Sequence, residues 1–85
     1  MKKKKVKGKV NPAKKRYLEG LGLRIREIRM SKELTQTELA EKINNHQRTI
    51  TRLERAEINA SIFLVKEIAD ALGVPIEKLL TGIGK

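Results

Sequence analysis

The 85-residue chain has no cysteine, no tryptophan, one histidine and two aromatic rings, Tyr17 and Phe63. Each shortage excludes something. Without cysteine there is no disulfide staple and no thiolate site, which suits a reducing compartment. One histidine is too few to build a metal centre, so no metal and no cofactor is expected. Two rings cannot line the stacking platform of a single-strand nucleic-acid binder. No run approaches the ~20 apolar residues of a membrane span. The cationic N-terminus is not followed by the apolar stretch of a secretory signal. Lys2 breaks the N-myristoylation pattern. The expected setting is the cytoplasm, on the nucleoid. Serine is scarce too: Ser31 and Ser61 both fall at helix boundaries, and no glycine-rich phosphate loop is present. The reading is therefore not an enzyme.

What is abundant is positive charge, and it is uneven. The net charge is +10, yet residues 1–16 hold nine of the 20 Lys and Arg and no acid. The other 11 face all 10 Asp and Glu, so residues 17–85 carry a net of only +1. We divide the chain into a basic, largely flexible arm, 1–16, and a folded domain, 17–85. "MKKKKVKGKV" lacks the apolar content to fold alone. Such an arm either binds a polyanion or serves as a solvated tail.

Helical punctuation recurs along the rest. Asn11-Pro12 suits a helix start, with Asn as cap and Pro in the first turn. Leu18, Leu21, Ile25 and Ile28 then form one apolar stripe over a helix of roughly 12–32. Gly20 and Gly22 each cost about 1 kcal/mol relative to Ala, so regular helix is expected only after Gly22. Thr35 with Glu38 matches a capping box, followed by the inward edge Leu39, Ala40 and Ile43. Asn44-Asn45 suits a tight turn, since Asn tolerates positive φ. A third helix over about 47–55 puts Ile50, Leu53 and Glu54 on one side. Arg48, Thr51, Arg52 and Arg55 fall opposite, with Gln47 at the edge. Ser61 caps a fourth helix whose stripe is Val65, Ile68, Ala69 and Leu72, and which ends before Gly73. Pro75 opens a fifth, with Leu79 and Leu80, stopped by Gly82. The fold class is all-α, with five short helices.

Two short helices joined by a three-residue turn make a helix-turn-helix. Residues 21–80 resemble the phage-repressor-like, Cro/CI-type (XRE-like) helix-turn-helix family. "LTQTELA", the Ile50-x-x-Leu53-Glu54 pattern and "IADALGV" carry the resemblance together. It implies a five-helix, lambda-repressor-like DNA-binding domain, with helices 2 and 3 as the helix-turn-helix and helix 3 in the major groove of double-stranded DNA. It also implies roles. Gln36 stands where a Gln contacts a phosphate and braces the first residue of helix 3. Gln47, Arg48 and Arg52 stand where members read base edges. Thr49 and Thr51 stand where hydroxyls reach the backbone or a base. Arg29 and Glu54 stand where many members pair helix 1 with helix 3. The chain departs from the pattern at the turn (Asn44 for Gly), at the helix 3 cap (His46 for Ser or Thr), and at Ala56 and Ala60, where Gly and Pro are frequent. A neutral imidazole can still accept one capping hydrogen bond; Asn45 could also cap with a one-residue shift.

The chemistry of these side chains fits. Guanidinium donors match the O6 and N7 acceptors of guanine, and Arg48 and Arg52 are one turn apart. Gln47 can pair bidentately with adenine. Arg55, near the helix end, suits either the helix dipole or a phosphate. Gln36, Thr49, Arg55 and the arm lysines Lys2, Lys3, Lys4 and Lys5 are the backbone-contact candidates. The arm can follow the phosphates or enter a flanking minor groove. The functional reading is a sequence-specific transcriptional regulator, a repressor, acting as a homodimer. Leu79, Leu80 and Ile83, on helix 5 and the 79–85 tail, are the expected dimer surface. A second protein partner is also compatible, as for antitoxins or restriction–modification controllers of this family. The alternative from another class is a protein-interaction helix-turn-helix whose arm binds RNA or another polyanion.

Overall fold

A computed structural model of the chain describes residues 11–82. Lys2, Lys3, Lys4, Lys5 and Ile83 therefore lie outside the described residues. Five helices follow in order: α1 (Pro12–Ser31), α2 (Gln36–Lys42), α3 (Gln47–Glu54), α4 (Ile62–Leu72) and α5 (Ile76–Leu80). No strand occurs among the described residues, as the apolar spacing implies.

The starts follow the cap chemistry. Asn11 Oδ1 accepts from the backbone N–H of Ala13 at 2.8 Å. Thr35 and Glu38 close a reciprocal capping box, at 3.0 and 2.8 Å. Ser61 Oγ accepts from the Leu64 N–H at 3.0 Å. The ends share one device. Glu33, Asn44, Ala56 and Gly73 all adopt left-handed backbone, with φ of 59°, 56°, 62° and 74°. After each, the next N–H returns to a carbonyl five residues back, for example Asn45 to Ala40 at 2.9 Å and Glu57 to Arg52 at 2.8 Å. This is the Schellman closure. Gly73 and Asn44 suit it; Glu33 and Ala56 bear the steric cost of a Cβ there.

Helix α1 spans close to its expected range of 12–32, but it is regular through Gly20 and Gly22 rather than only after them. The reason lies in α3. A Cβ on Gly22 would stand 2.6 Å from the Leu53 carbonyl oxygen and 2.7 Å from that of Glu54. Gly22 is thus the point where α3 crosses α1 backbone to backbone, and its helical cost is offset by that approach. Residues 12–16 of the basic stretch are helical.

One core holds the bundle. Leu21, Ile25, Leu39, Ile50, Leu53, Val65, Ile68 and Leu72 are essentially inaccessible to solvent. Leu79 joins them at 0% exposure. This corrects the expected dimer surface at Leu79, which is spent on the core; Leu80 is half-buried beside it. A small five-helix domain has little interior, so a short final helix must give its best apolar residue to it. Arg24 of α1 reinforces α5 by donating to the carbonyls of Lys78 and Thr81, the latter at 3.1 Å. There the guanidinium faces the negative end of the helix. Among the described residues, the most exposed large apolar side chains are instead Ile62 and Phe63, each 67% exposed at the start of α4. Nothing in the periodicity singled them out.

Candidate nucleic-acid interface

Helix α3 rests on the body through two kinds of contact. Ile50 and Leu53 are buried in the core. Beside them Glu54 meets Arg29 of α1 in a forked ion pair. Arg29 Nε donates to Glu54 Oε2 at 2.6 Å, and Nη2 donates to Oε1 at 3.1 Å. The side chains are 10% and 4% exposed. Arg29 Nη1 also donates to the Leu34 carbonyl at 2.7 Å, in the link between α1 and α2. One guanidinium therefore fixes three elements, with the planar geometry only Arg supplies.

Glu54 extends this anchor outward. Its Oε1 accepts from Gln36 Nε2 at 3.0 Å. The Gln36 amide oxygen then accepts from Gln47 Nε2 at 2.8 Å and from the Thr51 hydroxyl at 2.7 Å. Gln47 Nε2 also donates to Thr51 Oγ1 at 2.7 Å. The pairing of Arg29 with Glu54, and the bracing of Gln47 by Gln36, were expected from the family pattern. That Glu54 joins them into one chain was not, because its two links span 25 and 18 residues. Every buried side-chain polar atom among the described residues has a partner.

The start of α3 differs from the expected cap. His46 stands at the N-cap with no side-chain hydrogen bond. Asn45 does not take its place on a helical N–H. Its Oδ1 accepts instead from the His46 N–H at 2.7 Å and the Thr49 hydroxyl at 2.9 Å. The Thr49 hydrogen is therefore turned back onto the turn, and Thr49 is half-buried. Thr51 is half-buried as well, facing Gln36 rather than standing fully outward.

What remains outside is cationic. Gln47, Arg48, Arg52 and Arg55 are exposed. Arg48 and Arg52 lie four residues apart on α3 and pair with no acid among the described residues. Arg55 is the C-cap residue of α3, where a cation complements the helix dipole. Gln36 reaches Gln47 from the first turn of α2. Gln36, Gln47 and Thr51 thus come together, whereas Thr49 is turned to the α2–α3 turn and Arg55 stands at the end of α3; the arm lysines lie outside the described residues. The described residues hold no group of His, Asp and Glu that could bind a metal. No helix among them is long and apolar enough to cross a membrane.

Comparison with known proteins gives the same frame. A helix-turn-helix family profile matches residues 25–79. The immunity repressor protein of Bacillus phage phi105 is 35% identical over 60 residues, 71% of this chain; the chain spans 42% of that repressor's length. The restriction-modification controller protein C.AhdI of Aeromonas hydrophila is 31% identical, with a TM-score of 0.71 over 73% of this chain and 90% of that one. The clp gene regulator ClgR of Corynebacterium glutamicum is also 31% identical, with a TM-score of 0.73 over 75% of this chain and 68% of that one. The described helices thus adopt the all-α, lambda-repressor-like arrangement.

Proposed function

The chain belongs to the phage-repressor-like helix-turn-helix family, and from that premise we propose that it is a DNA-binding transcriptional regulator that inserts α3 into the major groove. The observation that carries this is the pair Arg48 and Arg52, exposed and without an acidic partner on a helix whose other face is anchored by Arg29 and Glu54. A stable surface helix without a ligand gains from mixed signs at this spacing. Arg48 and Arg52 read base edges, Gln47 reads beside them, and Gln36 and Arg55 serve the phosphates, while Thr49 braces the turn through Asn45. Thr51 acts from between the two sets.

The protein acts as a repressor in a homodimer. Two copies bound about 34 Å apart put both α3 helices on one face of the duplex. The exposed Ile62 and Phe63 give such a pairing an apolar surface. Residues 1–16 add charge: each phosphate that the arm neutralises contributes a salt slope near −0.9. Lysine outnumbers arginine in it, which favours phosphate contact over groove reading.

Selection from random duplex DNA with the full chain tests this. An enriched site with two symmetric half-sites is expected. Replacing Arg48 and Arg52 together by Ala should abolish that preference while the helical circular-dichroism signal persists, since each contact is worth roughly 1–3 kcal/mol. Unchanged affinity in the double variant would overturn the reading. Deleting residues 1–10 should keep the preference and make the salt dependence shallower. Loss of all binding would instead favour a polyanion-binding arm on a protein-interaction module.

A further inference from the structure

Thr51 stands where polar groups of two helices converge. Its Oγ1 lies 2.7 Å from Gln36 Oε1 of α2 and 2.7 Å from Gln47 Nε2 of α3. One turn back on α3, the Gln47 carbonyl oxygen is 3.2 Å away. Glu54, an acceptor held by Arg29, takes the nitrogen of Gln36 and so leaves the amide oxygen of Gln36 facing Thr51. A hydroxyl has one hydrogen and two lone pairs. Both oxygens within reach accept that hydrogen, the Gln36 amide at the shorter distance. A lone pair meets the Gln47 nitrogen. The hydroxyl is therefore used inside the protein, and Thr51 is half-buried.

The members of this cluster differ in stiffness. Gln36 and Gln47 are long side chains with several torsions, and Gln47 is exposed. Thr51 is β-branched, with one torsion that the helix restricts, and its hydroxyl lies against the backbone of its own helix. The rigid member sets where the flexible ones sit. One N–H of Gln47 directed at this corner is enough to hold it. Gln36 Oε1, Thr51 Oγ1 and Gln47 Nε2 form a triangle too tight to align both diverging N–H bonds of Gln47, so Gln47 keeps groups for a ligand.

We infer that Thr51 is a positioning residue for base reading, whose hydroxyl holds the Gln47 amide against Gln36 before DNA arrives and makes no DNA contact of its own. The inference rests on the proposed entry of α3 into the major groove. A rotamer-rich side chain held in advance meets less of the ordering cost that binding imposes. The hydroxyl thus contributes to affinity only through Gln47.

Two substitutions separate the hydroxyl from the shape: Thr51→Val removes it and keeps the branch, and Thr51→Ser keeps it. Selection from random duplex DNA with the full chain gives the operator, and Gln47→Ala identifies the base pair that Gln47 reads. Operator affinity is then measured for Thr51→Val, Thr51→Ser, Gln47→Ala and the Gln47→Ala, Thr51→Val double variant, with helical circular dichroism confirming each fold. Thr51→Val should weaken binding by about threefold to tenfold, the scale of ordering one such side chain, and should lose preference at the Gln47 base pair alone. Thr51→Ser should bind as the unsubstituted chain does. In the Gln47→Ala background, Thr51→Val should change nothing further, the mark of a coupled pair. An equal loss in both backgrounds means that the hydroxyl touches DNA itself and overturns the inference. Full affinity in Thr51→Val, a Thr51→Ser variant as weak as Thr51→Val, or no base pair that responds to Gln47→Ala overturns it too. Each of these leaves DNA reading by α3 intact. No enriched sequence from the full chain overturns DNA reading and the inference with it.

Discussion

The two polar faces of α3 are made from similar side chains and have opposite states. On the inner face, Glu54, Thr51 and the nitrogen of Gln47 are bound to one another, to Gln36 or to Arg29. On the outer face, Arg48 and Arg52 are exposed and pair with no acid among the described residues. The inner face stabilises and orients the helix by satisfying its own groups. The outer face leaves its donors in solvent. A short helix of eight residues would be marginal alone, so the inner contacts are what let the outer ones occupy fixed positions.

Substitutions can break this contrast in order of size. Glu54→Ala leaves Arg29 buried without its carboxylate and releases Gln36, and should cost about 3–5 kcal/mol in urea unfolding. A loss below about 1 kcal/mol would mean that the inner face does not hold the helix. Gly22→Ala forces a methyl against the carbonyls of Leu53 and Glu54 and should cost about 1–3 kcal/mol, the scale of an overpacked core. An alanine there that stabilises α1 would show that the crossing is loose. His46→Ser gives the start of α3 the side-chain cap it lacks and should add about 1 kcal/mol, read as a raised denaturation midpoint. Smallest of all, Arg48→Ala with Arg52→Ala should change stability by less than about 0.5 kcal/mol. A large destabilisation by that pair would place the arginines on the inner side of the comparison, as structural residues.

Much of the frame was legible locally. Caps work over three residues, so Asn11, Thr35 with Glu38, and Ser61 could be recognised from neighbours alone. The inward stripes of α2 and α4 follow from a 3.6-residue period and are buried as expected. Other features have no local signal. Gly22 resembles a helix breaker until α3 is laid across it. Ala56 and Glu33 take left-handed backbone although neither residue type invites it, because the chain must reverse there for the next helix to pack. Leu79 and Leu80 are adjacent apolar residues in the sequence, yet one is core and the other half-exposed rim. Ile62 and Phe63 stand largely in solvent at the start of α4, which no local spacing indicates.

The sequence by itself determined the number and type of helices, most of their starts, and which turn of α3 carries its arginines, since spacing and capping are properties of a few neighbouring residues. Only the tertiary structure decided how Gln47 is held. That outcome depends on a proton direction passed from Arg29 through Glu54 and Gln36 to α3. Three separate helices must meet before a charge in α1 can be linked to a glutamine in α3.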